Sequence, residues 1–161
     1  LILVVCAMAA SAKVEVHGHR GARAAMPENT MPAFEYAIAQ GADVLELDMQ
    51  VTRDNVVVVS HDPVMHAPIC TGPKEKGVIR QMTLAEVREW DCGAVRNPAY
   101  PLQKTVPGTR MPTLEEVFAL APRGAFLFNI ETKMSDKPGE SPEPEEFARL
   151  VLDIVRKHKL E

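Results

Sequence analysis

Four short segments with a β-strand pattern recur along the chain, and each of them ends in ionisable side chains. These segments are VEVHGH from residue 14, DVLELDMQV from residue 43, VVVVSHD from residue 56 and AFLFNIETK from residue 125. Helical patterns lie between them, including residues 30–40, where Thr30 is the predicted N-cap and Gly41 ends the helix. Strands that alternate with helices indicate βα units and a mainly parallel sheet.

The fold class that follows is α/β, with about four parallel strands. A closed (β/α)8 TIM barrel typically needs about 250 residues, whereas this chain has 161. If the fold is such a barrel, the sequence therefore carries its first half. A half-barrel leaves strand edges unpaired, so we expect this piece alone to be marginally stable and inactive.

Residues 63–112 differ in character from the rest of the chain. Proline and glycine are frequent there, and a single helix stands out, opened by a capping box of Thr83 and Glu86. We interpret this segment as a loop-rich insertion that lies over one end of the main scaffold. A second capping box, formed by Thr113 and Glu116, opens the helix that follows.

The first twelve residues, LILVVCAMAASA, are apolar and uncharged and end in Ala10-Ser11-Ala12. An A-x-A pattern after a short apolar run is typical of a secretory cleavage site. Residues 1–12 are therefore predicted to be a partial signal peptide, and residues 13–161 a periplasmic or secreted domain. A buried first strand is the alternative. A transmembrane helix needs about 20 apolar residues, so no stable membrane span is expected.

Export also bears on the cysteines. Cys70 and Cys92 remain after cleavage, and an even pair in an oxidising compartment favours a disulfide. A metal site is the alternative, although neither cysteine has a second ligand at close spacing. The net charge of −4 argues against a nucleic-acid partner, which would need a clustered basic surface. The sequence does not predict an oligomeric state.

Acidic side chains concentrate at the predicted carboxyl ends of the strands. Because residues two apart share one face of a strand, Glu46 and Asp48 point to the same side, as do Glu131 and Lys133. Parallel α/β folds bind ligands at this end. Without a cation the three carboxylates would repel one another, and oxygen ligands suit Ca²⁺ or Mg²⁺. An internal ion-pair network that uses Arg20 and Lys133 is the alternative.

The same end of the sheet supplies groups for phosphoryl chemistry. Arg20 and Lys133, together with a divalent cation, would neutralise phosphate oxygens. Histidine titrates near neutrality, so His19 and His61 could move protons on either side of the phosphorus. The chain has no P-loop glycine pattern, and nucleotide hydrolysis of that type is not indicated.

Several stretches together resemble the glycerophosphodiester phosphodiesterases. They are HRGARAAMPENTMPAF, LELDMQVTRDNVVVVSHDP, MPTLEEVF and NIETK, and their order and spacing match from about His17 to the C-terminus, most loosely in residues 63–112. The resemblance implies a (β/α)8 barrel that cleaves glycerophosphodiesters, such as deacylated phospholipids, to glycerol 3-phosphate and an alcohol. The expected partner is therefore a small-molecule substrate.

The resemblance also implies roles for individual residues. A glycerol hydroxyl would attack the phosphorus to give a cyclic phosphate, which water then opens. Residues 63–112 would correspond to the family's substrate-side cap, and the family's later strands, which complete the pocket, lie outside the 161 residues. The implied roles are His19 and His61 as general acid and base, Glu46, Asp48 and Glu131 as ligands of Ca²⁺ or Mg²⁺, Arg20 and Lys133 as phosphate-binding residues, and Glu28 and Asn29 as supporting residues.

Two other functions share parts of this pattern. Sphingomyelinase-like phospholipases D resemble it in their paired histidines and metal-binding carboxylates. The PENT segment (residues 27–30) and NIETK (residues 129–133) favour the phosphodiesterase. A non-catalytic binding protein that kept the barrel is the third hypothesis. Among the remaining histidines, we expect His17 to be a hydrogen-bonded core residue and His158 to be solvated, while His66 is a weaker candidate for substrate contact.

Overall fold

The structure, a computed structural model, describes residues 14–161. The predicted signal peptide, residues 1–12, lies outside the described residues. Among residues 14–161, none of the helices combines the length and the apolar character needed to cross a membrane.

Strand β2 (Val44–Val51) organises the main sheet. One edge of β2 pairs in parallel with the strand Leu127–Thr132, which is β6 in chain order. The other edge is shared by two strands. Strand β1 (His17–Gly18) runs parallel to the first residues of β2, and β3 (Val57–Val59) runs antiparallel to the last. The fold is α/β, and three of the four strands in this sheet are parallel.

The expectation of about four parallel strands is therefore wrong for β3. The chain reverses in a tight turn, in which the Thr52 N–H donates to the Val56 carbonyl and the Asn55 N–H donates to the Thr52 carbonyl, both at 3.0 Å. Asn55 has φ 60°, a left-handed conformation that asparagine tolerates. A parallel connection needs a dozen or more residues, so a turn this short makes β2 and β3 a hairpin.

Alternation along β2 separates an apolar face from a polar one, as predicted. Leu45, Leu47 and Met49 belong to the main hydrophobic core, whereas the intervening residues are Glu46 and Asp48. Three helices cover the apolar face: α1 (Met31–Ala39), α3 (Leu114–Phe118) and α4 (Pro144–His158), with the short α2 (Leu84–Val87) elsewhere in the chain. Both predicted capping boxes form, at the starts of α2 and α3.

Residues 63–112 build a second, smaller unit with its own hydrophobic core. Strands β4 (Val64–His66) and β5 (Lys76–Val78) form an antiparallel hairpin, which the sequence pattern did not predict. Trp90 is 1 % exposed and packs directly over Gly72, where an added Cβ would lie 2.3 Å from the indole ring. A side chain at Gly72 would therefore displace the tryptophan. A disulfide joins Cys70 to Cys92 within the same core.

Two histidines depart from their expected environments. His17 is exposed, with Nε2 3.6 Å from a Glu15 carboxylate oxygen, so the expected core position is wrong. His158 is partly buried rather than solvated, and its ring lies edge-on to Phe118 with centroids 5.7 Å apart.

The packing of α4 can be tested on two of its residues. Phe147 is 1 % exposed, and Phe147→Ala should destabilise the full-length protein by about 3–5 kcal/mol, because it removes a buried ring and leaves a cavity. Leu152 is 47 % exposed, and the control Leu152→Ala should change the free energy of unfolding by about 0.5 kcal/mol or less. Denaturant unfolding measures both values, and equal losses would contradict this helix orientation.

The disulfide has a direct chemical test. Peptide mapping by mass spectrometry without reductant should find Cys70 linked to Cys92 in exported protein. The two cysteines are 22 residues apart, and closing a loop of that size contributes on the order of 3 kcal/mol, so the double variant Cys70→Ser/Cys92→Ser should lose a similar amount. Two free thiols in the exported protein would show that the bond does not form.

Candidate active site

Three carboxylates converge at one end of the main sheet. In the parallel register of β2 and β6, Asp48 lies opposite Glu131, and Glu46 occupies the same face of β2 two residues earlier. One oxygen from each of Glu46, Asp48 and Glu131 lies within 4.8 Å of the others, and we call these three residues the carboxylate cluster. Glu46 and Asp48 are buried, whereas Glu131 is exposed. Such an arrangement could hold a metal ion.

Burial changes the acidity of the cluster. Removal from water raises the pKa of the Glu46 carboxyl, and the nearby Asp48 charge adds to the increase. The Arg20 N–H opposes it by donating to Glu46 Oε2 at 2.5 Å. A bound cation would favour the ionised form of Glu46 and so relieve the cost of burying it.

Asp48 is the most heavily contacted member of the cluster. Asn29 Nδ2 donates to Asp48 Oδ2 at 3.0 Å, and Arg20 Nε lies 3.3 Å from the same oxygen. Lys133 Nζ lies 3.3 Å from the other oxygen, Oδ1. The internal ion-pair network that we considered as an alternative to a metal site is therefore present, and it surrounds the same carboxylates.

Lys133 follows β6 and connects two members of the cluster. Its Nζ also lies 2.6 Å from Glu131 Oε1. Partial burial disfavours the charged ammonium, but the hydrogen bond to Glu131 and the charge of Asp48 outweigh it and raise the pKa of Lys133. Lys133 therefore stays cationic.

The PENT segment holds Arg20 in place. Glu28 Oε1 lies 2.7 Å from Arg20 Nη1, and Glu28 Oε2 lies 3.2 Å from Arg23 Nη2. Both Arg20 and Asn29 have positive φ angles, 51° and 55°, which are uncommon for residues with side chains. The loop backbone is thus shaped so that Glu28 meets the guanidinium while Asn29 reaches Asp48.

The charges in the ion-pair network around the carboxylate cluster do not balance. Four carboxylates face three permanent cations there, and Asp62 adds a further carboxylate beside His61. The four carboxylates belong to Glu28, Glu46, Asp48 and Glu131, and the cations to Arg20, Arg23 and Lys133. An excess of negative charge on hard oxygen ligands fits Ca²⁺ or Mg²⁺.

The two predicted proton-transfer residues lie at this site. His19 follows β1, and its Nε2 is 3.9 Å from Glu46 Oε2. His61 reaches the same level because β3 runs back along β2, where the Ser60 N–H donates to the Asp48 carbonyl at 2.9 Å. His61 lines a small cavity together with Glu28 and Asn29.

The insertion forms part of the wall of that cavity. Four residues of the insertion line the cavity together with Glu28 and Asn29: Ile69, Cys70, Cys92 and Met111. Gln103 fastens the insertion to the loop after β1, because its Nε2 donates to the carbonyls of Arg23 (2.8 Å) and Met26 (3.1 Å).

Three residues that contact the site were not predicted from the sequence. Gln50 is buried and donates from Nε2 to the His61 carbonyl at 3.2 Å, and its position two residues after Asp48 could have revealed it. Asp62 Oδ1 lies 2.6 Å from His61 Nδ1, and its proximity in sequence was a signal. Arg23 had no comparable signal, since its contact with Glu28 depends on the path of the loop.

The sequence matches the model of the glycerophosphoryl diester phosphodiesterase family over residues 19–159. A glycerophosphodiester phosphodiesterase from Caldanaerobacter subterraneus is 38% identical over 121 residues, which cover 75% of this chain and 46% of the relative. The chain spans about half the length of the curated relatives it matches.

Solved structures give the same result. A Silicibacter pomeroyi protein, described as a candidate glycerophosphoryl diester phosphodiesterase, superposes with a TM-score of 0.81 at 31% identity, over 92% of this chain and 55% of that one. An Oleispira antarctica phosphodiesterase in complex with the product sn-glycerol-3-phosphate has a TM-score of 0.71 at 25% identity, over 90% of this chain and 53% of its own.

Cation binding can be measured without an activity assay. Titration of Ca²⁺ or Mg²⁺ into the metal-free full-length protein, followed by calorimetry, should show one site. Glu131→Gln should weaken binding by roughly ten-fold or more, because it removes a charged ligand from an exposed position where folding should be unaffected. The control Glu89→Gln changes another exposed glutamate and should leave the affinity unchanged. Equal affinities in the two variants would remove Glu131 from the site.

Proposed function

This chain belongs to the glycerophosphoryl diester phosphodiesterase family, and we propose that the full-length protein hydrolyses glycerophosphodiesters to glycerol 3-phosphate and an alcohol. The observation that carries the proposal is the carboxylate cluster, which lies beside two cations and is accompanied by His19 and His61. The Oleispira antarctica relative holds sn-glycerol-3-phosphate as its product, which supports the same product class here.

Glu46, Asp48 and Glu131 would hold a divalent cation, Ca²⁺ or Mg²⁺. When bound, the cation would neutralise phosphate oxygens and polarise the phosphoryl group. It would also offset the excess of carboxylates over cations that surrounds it, so that a phosphodiester anion could approach.

Arg20 and Lys133 would bind the phosphate. Arg20 Nη1 donates to Glu28 Oε1 and Nε forms an ion pair with Asp48, so the guanidinium is oriented. Nε and Nη2 have no hydrogen-bond partner among residues 14–161, and Nε is buried. Nη2 is therefore available to a phosphate oxygen. Lys133 remains charged beside Asp48 and Glu131 and would supply a second positive contact.

His19 and His61 would transfer the protons. One imidazole takes the proton of a glycerol hydroxyl as its oxygen attacks the phosphorus. The bond from phosphorus to the alcohol oxygen breaks, and the other imidazole protonates that oxygen. In the second stage water opens the cyclic phosphate and the two imidazoles exchange roles. Each group thus returns to its starting protonation state.

We also propose that the domain is exported. Two features support this location: the apolar residues 1–12 that end in an A-x-A pattern, and the disulfide between Cys70 and Cys92. Disulfides persist in the periplasm and outside the cell and are rare in the cytosol.

The proposed function is tested with glycerophosphocholine and sphingomyelin as competing substrates for the full-length protein. Glycerophosphocholine should be hydrolysed faster, and EDTA should abolish turnover until Ca²⁺ or Mg²⁺ is restored. His19→Ala and His61→Ala should each lower kcat by roughly 10²–10⁴-fold, the usual effect of removing an acid–base group. The exposed His17 serves as the control, and His17→Gln should retain the wild-type rate.

Each part of the proposal can fail separately. Faster hydrolysis of sphingomyelin would replace it with the phospholipase D alternative, and turnover in EDTA would exclude the cation from the mechanism. Near-normal rates in the histidine variants would show that other groups transfer the protons.

A further inference from the structure

His61 is held in place by its neighbours through both its ring and its backbone. Its Nδ1 lies 2.6 Å from Asp62 Oδ1, and its carbonyl accepts the hydrogen bond from Gln50 at 3.2 Å. The Ser60 hydroxyl donates to the Asp62 carbonyl at 2.9 Å, which closes the turn that carries both residues. The imidazole is therefore oriented before any substrate arrives.

The contact with Asp62 decides which ring nitrogen carries the hydrogen. A carboxylate oxygen can only accept, so the hydrogen of a neutral His61 lies on Nδ1. Nε2 then presents its lone pair, and it has no hydrogen-bond partner among residues 14–161. The His61 side chain is 33 % exposed, so this nitrogen can be reached from solvent.

We propose that Asp62 is a positioning residue, which fixes the Nδ1–H tautomer of His61 and stabilises the imidazolium formed when Nε2 takes a proton. This role rests on the proposed function, in which His61 exchanges protons with the substrate. Asp62 lines the same cavity as His61, but its Oδ1 is directed at His61 Nδ1, and its effect on the reaction would pass through the ring of His61.

Asp62 also faces a second imidazole, from the insertion. His66 Nε2 lies 3.7 Å from Asp62 Oδ2, and His66 Nδ1 lies 2.7 Å from the Ala67 carbonyl. A carbonyl also only accepts, so a neutral His66 turns its unprotonated Nε2 toward the carboxylate. At 3.7 Å this contact is longer than a hydrogen bond, and Asp62 Oδ1 remains committed to His61. A substitution of His66 would therefore change the surroundings of Asp62 Oδ2 and leave the contact between Asp62 Oδ1 and His61 in place.

The tautomer of His61 can be observed directly by nitrogen-15 NMR of the imidazole in the full-length protein. The wild type should show hydrogen on Nδ1. Asp62→Ala should shift the ring toward hydrogen on Nε2, because the acceptor that selects Nδ1 is gone. His66→Gln should leave the wild-type pattern, as should the control Asp153→Ala on the exposed face of α4. Circular dichroism and thermal unfolding confirm that each variant is folded.

Kinetics provide the second measurement. Asp62→Ala should lower kcat on glycerophosphocholine by roughly 10²-fold, within the range for a disabled acid–base group. KM should change by less than about three-fold, since a positioning residue acts on His61 and not on substrate binding. The control Asp153→Ala should stay within about three-fold of the wild type in both constants.

Two results would overturn the inference: hydrogen retained on Nδ1 of His61 in Asp62→Ala, or unchanged kcat in that variant. Failure of the proposed function would look different. The wild type would then not hydrolyse glycerophosphocholine, while the NMR comparison would still decide whether Asp62 fixes the tautomer of His61.

Discussion

Asp48 makes the contacts on which the rest of the site depends. It is 1 % exposed, and a carboxylate in that position is costly unless it is paired and hydrogen-bonded. Its partners come from separate parts of the chain: Arg20 after β1, Asn29 from the PENT segment and Lys133 after β6. These segments must come together before Asp48 can be buried. Burial of Asp48 and assembly of the groups that we propose to bind phosphate therefore depend on the same contacts.

The sequence was sufficient to predict that the three carboxylates meet at one end of the sheet, because strand geometry repeats every two residues. Glu46 and Asp48 had to share a face of β2, and the register of β6 then sets Glu131 opposite Asp48. The direction of β3 was not predicted correctly. An unbroken apolar run indicates burial but carries no information about direction. That information was in the short turn between Thr52 and Val56, which cannot connect parallel strands.

Features fixed by tertiary contacts could not be found in the same way. Gln103 and Arg23 are 80 residues apart, and no local pattern links them. Strands β4 and β5 have three residues each, which is too short for an alternation to be recognised. His17 shares the strand of the site, but its burial depends on what lies beside β1, and within the described residues it is exposed. Periodicity predicts the direction of a side chain, whereas exposure depends on neighbours that are distant in sequence.

The hairpin of β2 and β3 has a consequence for how the family can diversify. The insertion departs from the main sheet just after β3, packs mostly around its own core, and returns at Thr113, whose chain pairs with Val58. Its attachment points are thus adjacent, and the carboxylates lie on other strands. A different insertion could be exchanged between these two points and give a new wall beside His61, while the carboxylate cluster stayed unchanged. Under the proposed function, selectivity for the leaving alcohol could then evolve separately from the phosphate chemistry.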